Sequence, residues 1–243
     1  GEGQSLSALF GGSPVVWSVV FWSIASAVVW RGLQTIKIAE KVLSIIVISI
    51  ICGLSFYLLK DFQISNWVYT DLSKIFLPYG VILFALNGTP AIIEAHALLP
   101  RSQRHFRKAL IIGSLIPVAV YILFALAVAG ATGLQTSEIA TIGLGAKFGN
   151  GVLILGNIFA VLAMAGGFIG SGIALKQTFV WDSKLNKILA EFLVISMPLL
   201  LFIAGLRQFI SILSVAGGVF IGIEAVALII VCWQARRKGD LDA

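Results

Sequence analysis

The stretch PYGVILFALNGTPAIIEAH, residues 78–96, places a turn-forming motif inside an apolar segment that runs from Ile75 to Leu99. An apolar segment of this length usually crosses a bilayer as one α-helix. Its Asn-Gly-Thr-Pro motif favours turns, because proline lacks an amide donor and disfavours helix before it, and Asn-Gly favours a positive φ. We therefore predict two half-helices, Ile75–Leu86 and Thr89–Leu99, joined by an unwound Asn87-Gly88.

The predicted break indicates a ligand site inside the membrane. Backbone groups released from a helix cannot face lipid, so they must face protein, water or a ligand. The first half-helix would end in free carbonyls, which suit an ammonium group, and the second would begin with free amides, which suit a carboxylate. A zwitterion such as an amino acid matches both ends. The alternative is a proline-kinked helix whose free groups are satisfied by neighbouring helices.

The composition places the whole chain in a membrane. Its 243 residues are 59% hydrophobic and 12% charged, with a mean hydropathy of +1.02, whereas soluble domains are about a quarter charged. Seven apolar segments are each near the roughly 20 residues that span a bilayer, and none shows the alternating pattern of a β-barrel. We predict an all-α integral membrane protein with about seven transmembrane helices, one of them discontinuous. The segments are Pro14–Trp30, Lys41–Leu59, Ile75–Leu99, Ala109–Ala131, Gly151–Leu175, Ile188–Leu206 and Phe209–Trp233.

The basic residues predict the orientation of these segments. If the segments alternate in direction, 13 of the 17 Lys and Arg residues fall on one side, which the positive-inside rule places in the cytoplasm. The net charge of +6 is therefore a topology signal and not a nucleic-acid surface. We predict a multi-pass protein of the cell membrane with a cytoplasmic C-terminus. The four basic residues on the other side are Lys60, Lys74, Lys147 and Arg207.

Few ionisable residues lie inside the segments, and each is a functional candidate by default. Glu94 follows the break by about one turn and suits a proton-carrying or gating role, or else it reaches the cytoplasmic interface. Glu224 should face the bundle, in a structural hydrogen bond or a transport role. We expect Glu191 to extend to the cytoplasmic interface and His96 to pack there. No second histidine lies at metal-ligand spacing, so the sequence predicts neither a metal site nor a cofactor.

Two glycine-rich stretches predict close helix packing. The pairs Gly166/Gly170 and Gly218/Gly222 have the small-xxx-small spacing that lets membrane helices approach one another.

Several motifs, taken in order, resemble a known group of transporters. PYGVILFALNGTPAIIEA followed by the basic loop and helix RSQRHFRKALIIGSLIPVAVYILFALAVAG resembles the amino acid/auxin permease and aromatic amino acid permease families of the amino acid–polyamine–organocation superfamily. Gly113, Pro117 and Tyr121 reproduce the G-x-x-x-P-x-x-x-Y pattern of the family's next helix. FIGSGIALKQTFVWDSKLNK is similar to a later helix end, and the opening residues resemble the family's fourth helix.

The resemblance implies a leucine-transporter-type fold, built from two inverted five-helix repeats. The seven segments would be the family's helices four to ten, with residues 14–74 ending the first repeat, residues 75–233 forming the second and residues 234–243 forming a cytoplasmic tail. The chain would then be partial and hold half of the substrate site.

The resemblance also implies secondary active transport of amino acids, aromatic or neutral, by alternating access. Proton symport is favoured over sodium, because residues 165–168 lack the hydroxyl groups that many members offer to sodium, although Ser171 follows a turn later. We predict Glu94 and Glu224 as the coupling or gating residues. Phe84 would line the side-chain pocket. The implied substrate-binding residues are Phe84, Ala85, Leu86, Asn87, Gly88 and Thr89.

Two other functions stay open from the residues alone. A non-transporting or ion-translocating membrane subunit of a larger complex, of the antiporter-like kind, also uses discontinuous helices, but such subunits usually rely on mid-membrane lysines, which this sequence lacks. A membrane-embedded enzyme would need converging polar residues, and the sequence shows no such set.

Overall fold

The computed structural model describes residues 1–31, 36–67, 71, 75–76, 78–89, 91–92, 103–137, 139–206 and 208–238. All regular structure in these residues is helical, which confirms the predicted all-α class. A π-helical segment, Ala216–Ile221, separates the last two α-helices. In chain order the α-helices are α1 Glu2–Phe10, α2 Pro14–Arg31, α3 Ile36–Leu58, α4 Tyr79–Leu86, α5 Gln103–Thr132, α6 Ala140–Phe148, α7 Asn150–Trp181, α8 Lys187–Ile203, α9 Phe209–Val215 and α10 Gly222–Lys238.

Five helical stretches are long and apolar enough to cross a membrane, and they correspond to five of the seven predicted segments. The sixth predicted segment forms α8, whose 17 residues extend about 25 Å at 1.5 Å per residue. The third predicted segment contains the short α4. The five stretches are Pro14–Arg31, Lys41–Asp61, Arg104–Gln135, Asn150–Trp181 and Phe209–Ala235.

The chain forms two compact units. Unit 1 consists of Gly1–Tyr69 with Pro90–Gly205, and unit 2 consists of Thr70–Thr89 with Leu206–Ala243. In unit 1, α7 packs against α1, α2, α3, α6 and α8. In unit 2, α4 packs against α9 and the π segment. The predicted division into two repeats concerns internal symmetry rather than packing, and it stays a prediction.

Small residues of α7 bring the helices of unit 1 together. A Cβ built on Gly172 would lie 3.3 Å from Val29 Cγ2 of α2, and one on Gly166 would lie 3.4 Å from Leu43 Cδ2 of α3. These are tight contacts with side-chain ends, as expected where small residues let helices approach closely. The predicted packing role of Gly166 is confirmed. A cluster of buried apolar side chains also joins α3, α5, α6 and α7. It consists of Leu54, Leu58, Ala127, Val128, Ala131, Leu144 and Val152.

A buried ion pair joins α7 to α8. Lys176 Nζ donates to Glu191 Oε1, and both side chains are largely buried. The prediction that Glu191 extends to the cytoplasmic interface is therefore wrong. A buried carboxylate needs a partner, and the packing of α8 against α7 supplies one in Lys176.

Candidate functional site

The predicted break in the third segment is present in the backbone. Helix α4 ends at Leu86, and Asn87 is extended with φ −67° and ψ 109°. Gly88 also lies outside helix, and the chain is helical again at Thr89. The predicted unwound Asn87-Gly88 is confirmed. The predicted start at Ile75 is wrong, because α4 begins only after Pro78, and proline fits a helix start, where its missing N–H needs no partner.

The side chain of Asn87 caps the helical turn that follows the break. Its Oδ1 accepts a hydrogen bond from the Thr89 N–H at 3.1 Å, which is the usual action of asparagine before a helix. One of the amides that we predicted to be free for a carboxylate is therefore already used. Gly88 does not have the positive φ that the Asn-Gly pair favours, so the extended Asn87 makes the turn instead.

At the break, the Ala85 and Leu86 carbonyls lack their regular helical donors. The Leu86 carbonyl would pair with the amide of residue 90, which is proline and has no N–H. The Ala85 carbonyl would pair with the Thr89 amide, which donates to Asn87 instead. Among the described residues the Gly88 N–H donates to no acceptor. The break thus presents the Ala85 and Leu86 carbonyls as acceptors and the Gly88 amide as a donor within four residues.

The six candidate substrate-binding residues all lie in unit 2 and are accessible. Phe84 is 44% exposed, Thr89 is half-buried, and the other four are exposed. A Cβ built on Gly88 meets no atom within 4 Å, so the space beside its amide is open. Their role in substrate binding stays a prediction.

Of the two predicted coupling residues, the structure describes Glu224 and not Glu94. Glu224 lies in the first turn of α10, directly after the π segment, and is half-buried. No described residue forms a hydrogen bond or ion pair with its carboxylate. Glu94 lies outside the described residues, as does His96.

The sequence did not predict the closest contact of α4. A Cβ built on Gly217 of the π segment would lie 1.7 Å from the Gly80 carbonyl oxygen, and one on Gly80 would lie 2.2 Å from the Ser214 carbonyl oxygen. We predicted Gly218 and Gly222 as the packing pair, and this is wrong, because a Cβ on Gly222 meets nothing within 4 Å. Residues four apart no longer share a face where the helix widens to i→i+5 bonding. In the sequence, the Gly217-Gly218 doublet is the feature from which this close contact could have been predicted.

Taken together, these features define a helical, multi-pass membrane protein with a discontinuous helix that exposes backbone donors and acceptors. The tryptophan/tyrosine permease family matches residues 4–241, and the chain belongs to this family. No curated protein and no solved structure matches the chain. The family confirms the resemblance to aromatic amino acid permeases, and it is a family of transporters rather than of enzymes.

Proposed function

We propose that the protein carries aromatic amino acids of the tryptophan and tyrosine class across the cell membrane by alternating access. The zwitterionic end of the substrate binds at the break in the third segment. The observation that supports this site is the set of free backbone groups there: the Ala85 and Leu86 carbonyls suit an ammonium group, and the Gly88 amide suits a carboxylate. A helix continuous through this point would offer none of them.

Phe84 directly precedes Ala85 and is the residue proposed to contact the substrate side chain. It is 44% exposed although it belongs to an apolar helix. Two aromatic rings in contact gain about 0.5–1.5 kcal/mol beyond the burial of their surface. A substrate ring on Phe84 would therefore favour tryptophan and tyrosine over aliphatic amino acids.

Transport is proposed to be coupled to protons, with the C-terminus in the cytoplasm. Sodium in transporters of this kind is coordinated by oxygen ligands, and residues 165–168 of α7 have no hydroxyl group. The neighbours of this stretch are apolar, since Gly166 faces Leu43 and Phe168 packs edge-on against Phe21. Glu94 and Glu224 are the proposed proton carriers, because ionisable groups within spans commonly serve this role.

Uptake by the full-length protein in proteoliposomes tests the function and the coupling separately. We expect labelled tryptophan or tyrosine to accumulate under an imposed proton gradient, and labelled lysine not to accumulate. Absence of aromatic uptake under either a proton or a sodium gradient would contradict the function. Uptake driven only by sodium would retain the function and reject proton coupling.

The variant Gly88→Leu tests the site. A leucine side chain would occupy the open space beside the Gly88 amide, so we expect uptake to be lost while the amount of protein in the membrane is unchanged. Gly113→Leu in α5 is the matched control, because a Cβ on Gly113 also meets nothing within 4 Å. Normal uptake by Gly88→Leu would remove the break from the binding site.

A further inference from the structure

The backbone of helix α4 lies in direct contact with the backbone of residues 214–217. At Gly217 a Cβ would lie 1.7 Å from the Gly80 carbonyl oxygen and 2.9 Å from the Phe84 amide nitrogen. At Gly80 a Cβ would lie 2.2 Å from the Ser214 carbonyl oxygen. Real Cβ atoms do not approach other atoms this closely. Both glycines are therefore required for α4 to lie where it does.

The partner of α4 in this contact is a π-helical turn. The Gly222 N–H donates to the Gly217 carbonyl five residues earlier, which is the π pattern. Such turns are rare and occur frequently at functional sites. Within this widened turn, Gly217 and not Gly218 forms the close contact. A Cβ built on Gly218 would lie 3.7 Å from Gly80 Cα, which is an ordinary contact distance.

Among the described residues, the elements that pack against α4 are the π segment and the short helix α9. It contains eight residues, and helices this short are not stable by themselves in the absence of packing. Gly80 is its only buried residue. The free carbonyls of Ala85 and Leu86 follow Gly80 by about one and a half turns, so any displacement of α4 at Gly80 moves them as well.

We propose that Gly217 is a positioning residue for the substrate site, an inference that rests on the proposed function. By allowing the π segment to touch the α4 backbone, Gly217 sets where the Ala85 and Leu86 carbonyls and the Gly88 amide lie. A methyl group at position 217 must move α4 by more than about 1 Å to reach an ordinary contact distance. Hydrogen bonds to the substrate do not survive a displacement of this size, because their donor–acceptor distances lie at about 2.7–3.2 Å and a pair about 3.6 Å apart is no longer hydrogen-bonded.

The test compares Gly217→Ala with its neighbour Gly218→Ala in the full-length protein, reconstituted in equal amounts. We expect Gly217→Ala to raise both KM and Kd for tryptophan by about 10-fold or more, the loss expected for one hydrogen bond to a charged group. Gly218→Ala should stay within about two-fold, because its methyl group fits without displacement of α4. A purely structural role would lower the amount of folded transporter and Vmax but leave KM unchanged, so a wild-type KM in folded Gly217→Ala overturns the proposal.

Hydrogen exchange of the wild-type protein provides a second test if Gly217→Ala does not fold. Bound tryptophan should slow amide exchange both at residues 82–88 and at residues 216–222, because the two segments move as one. Protection confined to residues 82–88 would overturn the proposal. Failure of the wild-type protein to take up or bind aromatic amino acids would instead reject the proposed function, so the two failures are distinguishable.

Discussion

Glycine is used in different ways at two helix contacts, those of α7 in unit 1 and that of α4 in unit 2. In α7 of unit 1, Gly172 and Gly166 face the ends of side chains: a Cβ built on them would lie 3.3 Å from Val29 Cγ2 and 3.4 Å from Leu43 Cδ2. In unit 2, Gly217 and Gly80 face carbonyl oxygens at 1.7 Å and 2.2 Å. A side chain can shift by a few tenths of an ångström on its own, whereas a carbonyl oxygen moves only with its helix.

This difference separates packing that tolerates change from packing that fixes a position. Membrane helices generally associate through small residues, so glycine at a crossing is expected in both units. In unit 1 a backbone contact similar to that of unit 2 joins Gly3 of α1 to the Pro14 carbonyl oxygen. The backbone contact in unit 2, unlike the α7 contacts, makes the position of a short helix depend on the absence of a single methyl group. That short helix, α4, carries the candidate substrate site.

The largest expected effect comes from adding a methyl group on the α4 side of the contact. Gly80→Ala should reduce tryptophan affinity by about 10-fold or more, because the methyl group meets the Ser214 carbonyl and α4 must move. Gly172→Ala should leave affinity within about two-fold, since Val29 can adjust. Binding of labelled tryptophan to purified protein measures both. Equal losses in the two variants would show that the α4 and α7 contacts do not differ as proposed.

A second prediction concerns the buried ion pair of unit 1, where the expected effect is on stability. Glu191→Leu should lower the free energy of unfolding by about 3 kcal/mol, because Lys176 is left buried without its partner. The double variant Lys176→Met/Glu191→Leu should recover most of this loss, since a well-packed apolar pair often replaces a buried ion pair at little cost. Thermal or denaturant unfolding in detergent measures both. A double variant no more stable than the single one would contradict this account.

The smallest effect on stability is expected at Glu224, the half-buried carboxylate of unit 2. Glu224→Gln should change the unfolding free energy by less than about 0.5 kcal/mol, because no described residue pairs with the carboxylate. Its effect should be on coupling: uptake measured across a range of external pH should become less steep in the variant. A pH profile identical to that of the wild type would remove Glu224 from proton coupling.

The break itself was predictable because its causes are local. Proline has no N–H wherever it occurs, and asparagine caps the turn that follows it, so the end of α4 at Leu86 follows from neighbouring residues. The capping bond was not anticipated, although it uses one of the amides assigned to the ligand. The start of α4 was placed too early because the apolar pattern continues through residues that Pro78 separates from the helix.

The partners of Glu191 and of Gly80 were not predictable from sequence. Lys176 and Glu191 are 15 residues apart on different helices, and the sequence alone made interfacial exposure the simpler expectation. For the glycines, the spacing rule assumes 3.6 residues per turn, and the π segment breaks that assumption between residues 216 and 221.

The sequence by itself determined the membrane setting, the helical class, the transporter family and the position of the break, because these follow from composition, local backbone chemistry and motif order. The tertiary structure decided which glycine touches α4 and which carboxylate is paired. Those outcomes depend on how helices far apart in sequence meet, and a single π turn or a single cross-helix ion pair is enough to change them.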